Sequence, residues 1–149
     1  MKSFSKVVAA FAISALALTA CSSKTQTADD IKARQDIMQD WRISSDIMKG
    51  MTEKPETFDA AAFKEQADSI KASTDHVWSH FADAANKGKA QDAVWSDAAG
   101  FKAKADEFNA AATALSDAAA NAQSANDVSA PLGKLGESCG SCHKAYKQP

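Results

Sequence analysis

Between Asp29 and Lys147 the apolar positions recur in steps of three and four, the spacing of one face of a helix. A first segment, from about Asp29 to Met51, carries the stripe Ile31, Arg34, Met38, Trp41, Ser45 and Met48 and stops near Gly50 and Pro55. A second starts at Asp59, a residue type whose carboxylate caps helix starts, and runs to about Asn86, just before Gly88. Its stripe is Phe63, Ala67, Ile70, Thr74, Val77, Phe81 and Ala84. A third runs from about Asp97 to Ala122 with Phe101, Ala105, Phe108, Ala112, Leu115, Ala119 and Ala122 in line. A fourth runs from about Val128 to Lys147, with Val128, Leu132, Leu135, Cys139, Cys142 and Tyr146 in line. Pro131 fits only the first turn of a helix, which puts that start at Val128 or Ser129.

Four such stripes joined by connections of roughly five to ten residues predict an all-α fold, an antiparallel up-down-up-down four-helix bundle. The composition agrees: the chain is rich in Ala, Lys, Asp and Gln and poor in β-branched runs. The third stripe is mostly alanine, which leaves room in the bundle interior for a large planar ligand. Residues 87–96 are the stretch the pattern places least well, because Val94 and Trp95 could extend a helix or cap the bundle end.

The N-terminus reads differently. Met-Lys-Ser-Phe-Ser-Lys precedes an apolar run from Val7 to Leu18, the form of a secretory signal and too short to span a bilayer comfortably. The following Leu18-Thr19-Ala20-Cys21 resembles a bacterial lipobox, which implies a lipoprotein signal peptide over 1–20 and a lipid on Cys21. Residues 21–28 then form a polar, flexible tether to a bundle domain at 29–149. The expected location is the periplasm, anchored to a bacterial membrane through that lipid.

Removing residues 1–20 takes away Lys2 and Lys6. That leaves 15 Lys+Arg against 19 Asp+Glu and a formal charge of −4. With no basic patch or stripe, nucleic acid is not an expected partner.

Of the three cysteines, two stand in Cys139-Gly140-Ser141-Cys142-His143, the attachment signature of a c-type haem. Two thiols three apart on a helix share a face and can both bond one porphyrin edge. The adjacent His143 then supplies the proximal iron ligand. A zinc site would need four ligands, and only His76 and His80 remain to complete one. Because Cys139 and Cys142 fall on the core stripe, the single covalent haem c is expected inside the bundle. No nucleophile–base constellation is visible, so an enzyme is not expected.

At this point the chain resembles the cytochrome c′ family, the class II c-type cytochromes, over roughly residues 30–147. The resemblance is carried by the C-terminal motif with Tyr146, by Ile31-Lys32-Ala33-Arg34-Gln35-Asp36-Ile37-Met38, and by Val94-Trp95-Ser96-Asp97 with Phe101. It implies a four-helix bundle with haem c, a propionate contact for Arg34, and a distal position at Met38. Lys147 stands where the family usually has arginine. The family also implies dimers, for which Ile37, Ile43 and Ile47 lie off the core stripe; they could equally widen the core.

The distal ligand decides between functions. In an antiparallel bundle Met38 lies level with His143, whereas Met48 is ten residues further along, about 15 Å away. The main expectation is a six-coordinate His143/Met38 haem in a membrane-tethered carrier of single electrons, serving a redox partner protein. The alternative is a five-coordinate cytochrome c′-like protein that binds nitric oxide or carbon monoxide. His80 is a minor candidate for the distal ligand; otherwise His76 and His80 read as surface residues.

Overall fold

In the computed structural model, which describes residues 19–149 and their side chains from Ala28 onward, each of the four periodic segments is helical. Helix α1 spans Thr19–Glu53, α2 Ala60–Val77, the short α3 Ala93–Ser96, α4 Ala98–Ala119 and α5 Ala125–Tyr146. Contacts run from α1 to α2, α2 to α4, α4 to α5 and back to α1, a square of antiparallel neighbours. The all-α up-down-up-down expectation is met. Among the described residues the only β pairing is an isolated antiparallel bridge between Ala90 and Lys147, and no helix is long and apolar enough to cross a membrane. The expected signal segment and the side chain of Cys21 lie outside the described residues.

The predicted stripes form the core. Met48, Phe63, Ile70, Val77, Leu115, Val128 and Leu135 are essentially inaccessible to solvent. Each large one contributes roughly 1.5–3 kcal/mol of transfer free energy. Trp41 stacks on Phe108 with ring centroids 4.4 Å apart and donates from its indole to the Ser73 hydroxyl at 2.7 Å. Gly100 marks a close approach: Tyr146 donates to the Asp97 carboxylate at 2.8 Å, and a Cβ on Gly100 would collide with both groups.

Three local expectations are corrected. First, α1 reaches back through residues 21–28, which read as a flexible tether; that stretch holds neither glycine nor proline, so nothing in it stops a helix propagating from downstream. Second, α5 starts at Ala125, not at Val128 or Ser129. The Asp127 carboxylate accepts the backbone N–H of Gln123 at 3.0 Å, the N–H of Ser124 at 2.9 Å and the Ser124 hydroxyl at 3.0 Å. These bonds set the start upstream of the proline. Pro131, in the second turn, withholds an N–H only from the carbonyl of the exposed Asp127, which is open to water.

Third, the second helix does not continue to Asn86. Helix α2 ends at Val77, and 3-10 turns follow at Trp78–Phe81 and Ala84–Asn86. The Asp83 carboxylate caps the latter by accepting from Ala85 N–H at 2.8 Å. The break turns carbonyls toward α1. The buried Arg34 guanidinium donates to the carbonyls of His80 (2.9 Å), Asn86 (2.5 Å) and Lys87 (2.7 Å), and lies 4.5 Å from the Phe81 ring centroid. Gly88, with φ of +50°, lets the chain turn directly against this group, where a Cβ would press on Arg34 Nη2 and Ile31. Behind it Asp30 accepts from Asn86 Nδ2 at 3.0 Å and lies 2.9 Å from His80 Nδ1. His80 is therefore largely buried, a correction to its reading as a surface residue, whereas His76 is exposed.

Two predictions follow from these contacts. Arg34→Ala in the haem-loaded protein should cost at least about 2 kcal/mol, since hydrogen bonds to a charged group are each worth more than a neutral one. Amide exchange should accelerate selectively over residues 80–90; uniform acceleration across α4 would count against a local clamp. The hydrogen bonds to Asp127 hold its carboxyl below the usual aspartate range. Its contribution to stability is therefore complete above the unfolded value near 3.9 and is lost as pH falls through the lower folded value. Asp127→Asn should lower the denaturation midpoint at pH 7 and shrink the difference between pH 7 and pH 3. An unchanged pH profile would rule Asp127 out as a source of acid sensitivity.

Candidate functional site

The α1–α5 pair is the loosest side of the square, and two adjoining cavities lie there. The larger cavity, about 530 Å³, is bounded by α1 at Arg34, Met38 and Arg42, by Trp78, Phe81 and Phe101, and by α5 at Cys142, His143 and Tyr146. A second, about 360 Å³, lies between Met38, Trp41, Ile70, Phe108, Leu135 and Cys139. Both are lined by Met38, Arg42, Trp78, Cys142 and His143. They form one crevice between two helices, walled by aromatic rings.

The helical spacing of the motif does what the sequence implies. Cys139 and Cys142 are half-buried, unpaired thiols on the crevice side of α5, and His143 follows at its edge. Burial pushes both thiols above the ordinary cysteine range, and the neighbouring Cys139 adds to the effect at Cys142. They are thus neutral at pH 7, suited to thioether bonds with vinyl groups and ill suited to a zinc thiolate site. Burial, assisted by the Lys147 charge, lowers His143 below its usual value. Its imidazole is neutral at pH 7, with a lone pair available to iron. A flat apolar crevice, two thiols on its wall and a neutral imidazole beside them fit a covalent haem.

Of the other predicted residues, Met38 lies across the crevice from His143, on α1. Arg34 also lines the crevice, but its two terminal nitrogens already serve three carbonyls. His80 lines neither cavity and faces Asp30 instead, which removes it as a distal ligand. Sequence reasoning missed Trp78, Arg42 and Lys89 as crevice residues. Arg42, one turn after Met38, was signalled by helical spacing. Trp78, placed by the break after Val77, and Lys89, in the aperiodic stretch, had no comparable signal.

The sequence profile of the family described as Cytochrome C′ matches residues 29–147. The cytochrome c′ of Alcaligenes xylosoxydans xylosoxydans is 32% identical over 120 residues, covering 80% of this chain and 94% of that protein. The crystal structure of cytochrome c′ from Rubrivivax gelatinosus superposes with a TM-score of 0.76 at 30% identity, covering 82% of this chain and 97% of that one. A nitric oxide complex of a cytochrome c prime variant from Alcaligenes xylosoxidans superposes with a TM-score of 0.77 at 29% identity, covering 83% and 96%. With a haem-attachment helix, a crevice facing it and these likenesses in agreement, the chain belongs to the cytochrome c′ family and is a c-type cytochrome carrying covalent haem c.

Proposed function

We propose that this protein binds a diatomic gas, nitric oxide or carbon monoxide, at the distal side of its haem. The observation that carries the reading is the position of Met38. It is a half-buried thioether on the wall opposite His143, with open crevice on both sides of it. The haem supplies an iron centre that takes one electron or one small ligand. His143 presents a neutral nitrogen from α5, Cys139 and Cys142 fix the group to that helix, and the Trp78–Phe81–Phe101 wall excludes water. Met38 is then the side chain an incoming gas must pass. The nitric oxide complex of a relative supports this order of the two expectations, the reverse of that reached from sequence.

One observation favours a second reading. Met38 is the methionine that lines the crevice, and a thioether there is a competent sixth ligand. Ligation by Met38 would make the protein a six-coordinate electron carrier, with an unidentified redox protein as partner. In either case we place it at the periplasmic face of a bacterial membrane, held by lipid on Cys21. The exposed Ile43 and Ile47 on α1 are the strip available to a second copy, whereas Ile37 packs against the core.

Visible spectra of the haem-loaded protein, with and without gas, separate these readings. Gas binding predicts a high-spin spectrum and a ferrous adduct with carbon monoxide or nitric oxide. Met38→Ala should then speed carbon monoxide association about tenfold or more, the effect of removing roughly 1.4 kcal/mol of steric barrier. A low-spin spectrum with a near-infrared sulfur-to-iron band and no gas adduct would overturn this in favour of electron transfer. In that case Met38→Leu should convert the protein to high spin.

A further inference from the structure

We infer that Lys89 and Lys147 receive the haem propionates. The inference rests on the covalent haem and is independent of what occupies the distal side.

The larger cavity is lined by four cations, Arg34, Arg42, Lys89 and Lys147, and by no carboxylate. That is unusual on a chain whose formal net charge is −2. Two of the four already have partners within the protein. Arg34 donates to three backbone carbonyls. Arg42 lies 3.5 Å from Asp46 and donates to Gln39 at 3.4 Å. Most other lysines of the bundle pair with a carboxylate, largely one helical turn away, as Lys102 does with Asp106 and Lys134 with Glu137. Among the described residues the ammonium groups of Lys89 and Lys147 have no such partner.

Their proximity is built into the backbone. The Ala90–Lys147 bridge is made by Gln91 N–H donating to the Tyr146 carbonyl and Gln148 N–H to the Lys89 carbonyl, each at 2.9 Å. The Gln91 side chain adds a bond to the Lys147 carbonyl at 2.9 Å. Two strand-like segments from distant parts of the chain thus present one lysine each at the same rim. Behind them the cavity wall is Trp78, Phe81, Phe101 and Tyr146. A ligand with an apolar plate and two carboxylates matches this division. The apolar wall also strengthens each ammonium–carboxylate pair relative to water.

A cation paired with a propionate disfavours the ferric state, so its loss lowers the midpoint potential. The test uses the full-length, haem-loaded protein with Lys89→Gln, Lys147→Gln, the double variant and Lys144→Gln. Lys144 is exposed, adjacent to His143 and absent from the cavity lining, so it reports the general effect of removing a charge. Expected are a fall in potential for each crevice variant, a larger fall for the double, and wild-type values for Lys89→Arg and Lys147→Arg. The propionate bands in redox-difference infrared spectra should move in the crevice variants only. Potential changes no larger than that of Lys144→Gln, or unmoved propionate bands, would overturn the assignment. So would band shifts confined to Arg34→Lys. The spin state of the same samples reports separately on Met38.

Discussion

A bundle that holds a flat group between two of its helices cannot let those helices close on each other. Along the crevice the two helices are held apart, and Met38, Cys139 and Cys142 on its walls are only half-buried. The remaining sides of the square must hold the frame. They do so with large side chains taken fully out of water: Phe63, Ile70 and Val77 of α2, Leu115 of α4, and Val128 and Leu135 of α5 are all nearly inaccessible. Burial of this order offsets an open side only if the frame cannot hinge. The Trp41–Phe108 stack and the Trp78 bond to Asn109 at 2.9 Å tie α1 and the segment after α2 to α4.

The same constraint explains the break after Val77. A regular helix would satisfy the carbonyls of residues 80–87 internally and offer none to α1. Interrupted, the segment exposes them, and the Arg34 guanidinium gathers three. An arginine suits this position because it presents several donors in a fixed plane and keeps its charge even when burial weakens its hold on the proton. The group that looked from sequence like a ligand contact is first a fastening that keeps one crevice wall in place.

Much of the fold and part of the site were legible in the sequence, for physical reasons that can be named. Periodicity reports burial directly, so the stripes of α2 and α4 foretold their buried residues nearly one for one, whereas on α5 the stripe residues Cys139 and Cys142 face the crevice and are only half-buried. The haem motif was legible because covalent attachment demands fixed residue types at fixed spacing. Pro131 misled because a propensity rule yielded to Asp127, whose three accepted bonds set the helix start. The segment from Trp78 to Gln91 was the least legible. Its shape is decided by partners distant in sequence — Arg34, Asp30 and the C-terminal residues — and no local pattern encodes them. The order of the two functional readings turns on the state of one thioether, which residue type alone does not determine.

The bridge between Ala90 and Lys147 bears on assembly as well as on shape. It joins a loop in the middle of the chain to residues 146–148, which follow every other part of the bundle. A chain emerging from its N-terminus can pack α1, α2 and α4 before this bridge exists. The crevice therefore remains open on that side until the attachment motif has itself emerged. Closure is the last event available to the fold, so the cofactor has a time window for entry as well as a place to enter.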